Sequence, residues 1–317
     1  MHRSLRRLCA AVLLCAGLLA APTWAQRVPF NPGDDNFSAD GLLKGVSATA
    51  QQCAAVPNAV WAQASTGDAE CIRYWVAGFT PGVPAPRALV YIPGDQMAFD
   101  QPDPGYTRRN PRNLQAAAND MQARAGVPFI LLSRPGMFGS SGDHRERRRE
   151  GEVRIVSAAL DQIKARHGIQ AWSLAGLSGG GHTVAALLGW RSDIVCAVAA
   201  SSVSSPRLRW QGMGRTTDLT GHADSYEPVD HLKREVFHPE LRVFVLGDPQ
   251  DSNVVFVTQT PLADKLKTLG AAVEVVQAEG TGPQRHFLGD SSQRLGAMCL
   301  RGLPTPQILQ AARGMKG

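Results

Sequence analysis

Along this chain, short runs of consecutive apolar residues alternate with stretches in which apolar residues recur every three or four positions. The first pattern suits strands buried on both faces, and the second suits amphipathic helices. Residues 71–76, with their β-branched and aromatic alternation, read as a strand. Residues 88–92, 127–132, 171–175, 194–199, 241–247 and 272–276 read as strands of the buried kind. Between them, 113–124, 146–167, 183–188, 261–269 and 291–299 read as helices. Val153, Val156, Leu160 and Ile163 fall at helical spacing, and Gly126, Gly168 and Gly270 each stand where a helix must stop. Strands alternating with helices imply an α/β fold with a mostly parallel central sheet and helices on both faces. No internal repeat or linker is visible. Residues 26–70, rich in Pro, Gly, Asn and Ala, read as an irregular N-terminal extension lying on a main domain of residues 71–317. Within that domain, 201–239 is long and irregular enough to be a small inserted cap.

The start of the chain changes the picture of where it works. A basic segment, Met1 to Arg7, precedes an unbroken apolar stretch from Leu8 to Ala21, with Ala25 as a small residue for cleavage. That is the pattern of a secretory signal peptide over residues 1–25, too short for a comfortable membrane span. Leu14 before Cys15 does not suit lipid attachment, so no stable membrane anchor is expected and the mature protein is expected to be periplasmic or secreted. The leader holds three arginines and no acids, so its removal takes the formal charge from +6 to +3. The basic balance of the whole chain therefore says little about partners, and no basic face interleaved with aromatics argues for nucleic acid. The run from His144 to Glu150 is the densest in charge and reads as a solvated helix start, with an anion-binding cleft edge as the alternative. Cys53, Cys71, Cys196 and Cys299 follow the leader, an even number in an exported chain, which favours disulfides. Cys53 with Cys71 and Cys196 with Cys299 is the preferred pairing, the alternative being a buried free thiol at Cys196. No metal-ligand spacing occurs, so neither metal nor cofactor is expected.

The candidate chemistry centres on Gly176-Leu177-Ser178-Gly179-Gly180. A serine between small residues, at the turn from an apolar strand into an apolar helix, is the nucleophile elbow of α/β-hydrolases. The serine backbone must be strained to lift its Oγ clear of the sheet, and bulky neighbours would obstruct that turn. A hydroxyl becomes a competent nucleophile only beside a base that is itself oriented by an acid. In this fold the order is Ser, acid, His, on loops that leave the carboxyl ends of strands. Downstream of Ser178, Asp248 and Asp251 leave the strand at 241–247, and His286 follows the last strand. His182, one helical turn past Ser178, is better placed to orient the elbow helix than to react.

Residues 241–288 resemble the C-terminal part of prolyl-oligopeptidase-type and dienelactone-hydrolase-type α/β-hydrolases. The resemblance rests on the acid loop Gly247 to Val254, the helix around Leu262 to Leu266, and the Gly282 to His286 ending. With the elbow it extends over 71–299. It implies a serine hydrolase acting through Ser178, Asp251 and His286. Asp251 is favoured because Asp251-Ser252-Asn253-Val254 matches the family spacing, and Asp248 stays open as the alternative acid. The resemblance also implies an oxyanion hole from the Gly179 and Asp95 amides, where Ile92-Pro93-Gly94-Asp95 replaces the His-Gly of many relatives. The expected substrate is a small-molecule ester, with a short peptide or amide as runner-up. A non-catalytic binding protein on the same fold is the rival reading.

Overall fold

Eight segments pair into one sheet: β1 (Ala59–Gln63), β2 (Ala69–Ala77), β3 (Arg87–Ile92), β4 (Phe129–Leu132), β5 (Ala171–Leu177), β6 (Ile194–Ala200), β7 (Arg242–Gly247) and β8 (Ala272–Gln277). Their spatial order is β8-β7-β6-β5-β3-β4-β2-β1. From β4 to β8 across the sheet every pairing is parallel, while β2 runs antiparallel to β4 and β1 antiparallel to β2. This is a computed structural model, and it describes residues 27–98 and 100–317. The leader expected at residues 1–25 lies outside the described residues.

The pleat sorts each strand's side chains between two cores. On β5, Trp172 and Leu174 enter one, while Ala171, Ala175 and Leu177 enter the other. The first core is closed by α2 (Glu150–His167), α3 (Gly179–Leu187) and α5 (Thr260–Thr268). The second is closed by α1 (Pro111–Ala125), α6 (Gly289–Leu300) and α7 (Thr305–Ala312). Local sequence sets the helix ends. Asn110 caps α1 by accepting from the Asn113 amide, and Pro111 starts it where no donor is needed. Gly126 and Gly168 end α1 and α2 in the left-handed conformation, at φ 66° and 65°.

Three features differ from expectation. The segment 26–70 is not irregular throughout, because β1 forms the sheet edge and buries Val60 and Ala62 beside Ile72. Five residues of weak alternation hid it, and the hairpin to β2 closes it. Helix α7 follows the expected last helix and buries Ile308 and Ala312. Helix α2 begins at Glu150 rather than 146, because the preceding residues form a short 3₁₀ turn and a buried loop. No helix among the described residues is long and apolar enough to cross a membrane.

The inserted segment 201–239 carries α4 (Pro206–Gly212) and short turns, and anchors in the core through Tyr226, Leu232 and Phe237. Glu227 is buried and accepts from the Arg207 amide at 2.6 Å, at the start of α4. Burial pushes its carboxyl up to about 7, against the opposing pull of the Arg207 amide and guanidinium. Two disulfides tie the structure: Cys53 to Cys71, joining the N-terminal segment to β2, and Cys196 to Cys299, joining β6 to α6.

Loop-closure entropy ranks the two crosslinks, because the separations are 18 and 103 residues. Paired Cys→Ala replacement should cost about 3 kcal/mol for Cys53–Cys71 and about 4.7 kcal/mol for Cys196–Cys299, measured by urea unfolding. Equal losses, or the reverse order, would contradict that ranking. A second prediction follows from Glu227. Its folded pKa lies above the unfolded value, so its contribution is complete at acid pH and is lost as pH rises through about 7. Glu227→Gln cannot ionise. Its melting temperature relative to the native chain should therefore climb between about pH 5 and pH 8. A difference that stays constant over that window would refute the assignment.

Candidate active site

Ser178 sits at the end of β5 with φ 56° and ψ −117°, a left-handed backbone that costs a non-glycine residue about 1–3 kcal/mol. The surrounding structure enforces it. The Ser178 amide donates to the Ala200 carbonyl at 2.8 Å, and its own carbonyl accepts from His182 and Val203. The flanking glycines are sterically required. A Cβ on Gly176 would lie 2.4 Å from the Gly180 carbonyl, and one on Gly180 would lie 2.1 Å from the Ile92 carbonyl. The start of α3 is thereby pressed against the ends of β3 and β5. His182 is buried on α3, where its Nε2 bonds the Tyr226 carbonyl at 2.8 Å, and burial lowers its pKa to about 4. It is a neutral anchor between the elbow helix and the cap.

The loops after β7 and β8 meet. His286 donates from Nδ1 to Asp251 Oδ2 at 2.7 Å, and both side chains are buried. A carboxylate only accepts, so this bond fixes the tautomer and leaves Nε2 as the basic nitrogen. The other Asp251 oxygen accepts from the Asn253 and Val254 amides at 2.8 and 2.9 Å. The Ser252 amide then donates to the Gln284 carbonyl, which ties the acid loop to the histidine loop. Asp248 is not bonded to His286. It accepts from the Gln250 and Gly280 amides and from Arg285 Nε, all within 2.8 Å, and so braces the two loops from behind.

Asp95 follows β3 and lies across the elbow, so near that a Cβ on Gly179 would be 2.0 Å from its Oδ1. Among the described residues its amide N–H makes no hydrogen bond, and Gly179, first in α3, has no acceptor within the helix. The Asp95 carboxylate is held by Arg134 at 2.9 Å, by Arg147 at 3.1 Å and by Arg148. Burial alone would raise its pKa, but Arg148, Arg147 and Arg134 together hold it well below the usual carboxylate range. Glu152 pairs with Arg134, and Asp218 of the cap pairs with Arg148.

Here the reading of 144–150 as a solvated helix start is corrected. His144, Arg147 and Arg148 are buried, and Arg147 and Arg148 turn inward onto Asp95. A run of charges resembles a solvated face until its partners are known, and these lie 52 to 70 residues away in sequence. Sequence reasoning also missed the fixing roles of Arg134, Glu152 and Asp218. The juxtaposition of Arg134 with the strand end after β4 was the one available signal.

No protein-family model matches the chain, and neither does any curated protein. Solved structures do. Est1E from Butyrivibrio proteoclasticus, with ferulic acid bound, matches at 13% identity and TM-score 0.54, over 77% of this chain and 99% of that one. Prolyl oligopeptidase B from Galerina marginata, bound to a 35mer substrate, matches at 13% identity and TM-score 0.53, over 77% of this chain. The acylaminoacyl peptidase of Pyrococcus horikoshii matches at 12% identity and TM-score 0.52, over 80% of this chain. This chain spans only 36% and 40% of the two peptidases. With a mostly parallel sheet in this strand order, helices on both faces, and these matches, the chain has the α/β-hydrolase fold.

Proposed function

We propose that the protein is an exported serine hydrolase that cleaves esters through an acyl-enzyme. The observation that carries this reading is the buried bond between His286 and Asp251, on loops that leave the same sheet whose β5 ends in a serine held at positive φ. Ser178 Oγ attacks the acyl carbon while His286 Nε2 takes its proton, and Asp251 orients and balances the imidazolium. The Gly179 and Asp95 amides, both free to donate, stabilise the oxyanion, and each such donor is worth about 3 kcal/mol in comparable sites. His286 then returns the proton to the leaving alkoxide as the C–O bond breaks. Water, deprotonated by His286, hydrolyses the acyl-enzyme.

Ester chemistry is placed first, on the likeness to Est1E, which was solved with ferulic acid bound, and peptide hydrolysis second, on the likeness to the two peptidases. The leader at 1–25 and the two disulfides support export.

Fluorophosphonate should label the native protein and leave Ser178→Ala unlabelled. On p-nitrophenyl esters, Asp251→Asn should lower kcat by about 10⁴, since the imidazole would then hold the wrong tautomer. Asp248→Asn should act mainly on stability. A folded native protein that resists labelling would support the binding-protein rival. Abolition of turnover by Asp248→Asn alone would overturn the choice of acid. Faster turnover of amino-acyl p-nitroanilides than of matched esters would favour the peptidase reading.

A further inference from the structure

Around the elbow, buried arginines and carboxylates form one network. Arg134, Arg147 and Arg148 share Asp95, Glu152 and Asp218. Arg209, on α4 of the cap, is also buried, and among the described residues no carboxylate lies within ion-pair distance of it. Its Nε and Nη2 donate to the Asn253 carbonyl, and Nη2 also donates to Asn253 Oδ1 at 2.7 Å. Nη1, with two further N–H groups, has no hydrogen-bond partner among the described residues, yet it is not among the sealed, unsatisfied atoms. It is therefore open to a ligand. Arg207, two residues earlier, faces away and pairs with Asp230 at the surface.

A chain of hydrogen bonds links Arg209 to the proposed catalytic acid. Asn253, its partner, also donates to Asp251, the acid bonded to His286. Asp218, Asp95 and Asp251 all act on the Arg209 charge. Burial, and repulsion from Arg148, nevertheless lower its pKa to about 10, the mark of a cation lacking a close counterion. Ser205 Oγ, at the N-cap of α4, and Trp210 Nε1 are buried and also without partners. Leu208 on α4, Met213 just after it, Val255 and Val257 after the acid loop, and Phe287 next to His286 are exposed apolar side chains.

We propose that Arg209 is a specificity-determining residue that binds a carboxylate on the substrate, so that the preferred esters are anionic ones with an otherwise apolar body. This rests on the hydrolase reading of Ser178. An anion there would complete the charge pairing. Its hydrogen bonds to a buried guanidinium would be stronger than in water.

The test compares two matched pairs of esters. In p-nitrophenyl hydrogen glutarate against p-nitrophenyl pentanoate, the carboxylate is on the acyl side. In 4-acetoxybenzoate against phenyl acetate, it is on the leaving group. Rates are corrected by the Ser178→Ala protein for spontaneous hydrolysis. The native enzyme should prefer the charged member of at least one pair. Arg209→Gln should reduce that kcat/KM ratio by about 10- to 100-fold, the worth of a hydrogen bond to a charged group. Arg209→Lys, which keeps the charge and loses the planar fork, should reduce it less. If Arg209→Gln lowers charged and neutral members equally in both pairs, Arg209 only positions the acid loop and the proposal fails, while the hydrolase reading stands. If fluorophosphonate does not label Ser178 and no ester is turned over, both readings fail together.

Discussion

The carboxylate of Asp95 is the point on which the site depends. Three arginines converge on it from the loop after β4 and from the residues before α2. Through Arg148 it also reaches Asp218 in the cap. A buried ion pair is poor evidence of net stability, since desolvation offsets most of the attraction. Removing one partner is different, because it strands buried charge at a cost of about 3–5 kcal/mol. The network therefore specifies position more than it adds stability. It holds the backbone after β3 against the start of α3.

That arrangement resolves an apparent conflict. A carboxylate beside a developing oxyanion would oppose the negative charge expected there. With Arg134, Arg147 and Arg148 around it, Asp95 adds no uncompensated negative potential, and its amide remains available as a donor. Where many relatives use His-Gly, this chain has Gly94-Asp95 and a nest of arginines. The oxyanion role proposed for Asp95 belongs to its backbone amide, so it does not depend on the side chain.

How much was legible in sequence follows the range of the forces. The parallel strands and their helices were readable because burial on a face imposes a period within one segment. The elbow was readable because its steric demands fall on immediate neighbours. Asp251 and Asp248 were harder to separate. Both leave β7, both are buried, and both accept backbone amides, so only the geometry of the two loops gives His286 to Asp251. The basic run before α2 was misread for the same reason. Charge is visible in sequence, but the acids that draw it inward come from β3 and the cap. Strand β1 and helix α7 were missed because each is short, and each is stabilised by a surface that exists only after the sheet has formed.

The cap shows how these levels connect. It is held by apolar contacts at Tyr226, Leu232 and Phe237, but its register over the elbow is set by polar ones. His182 bonds the Tyr226 carbonyl, Arg148 pairs with Asp218, and Arg209 bonds Asn253. Each of these joins the cap to an element that carries the site: the elbow helix, the Asp95 network and the acid loop. Hydrophobic contact is tolerant of small slips, whereas directed hydrogen bonds between buried groups are not. Arg209 is tied to the acid loop through Asn253, and its Nη1 has no hydrogen-bond partner among the described residues. The contacts that hold the cap to the elbow helix and the acid loop are thus the ones on which both the proposed oxyanion donor and the proposed carboxylate site depend.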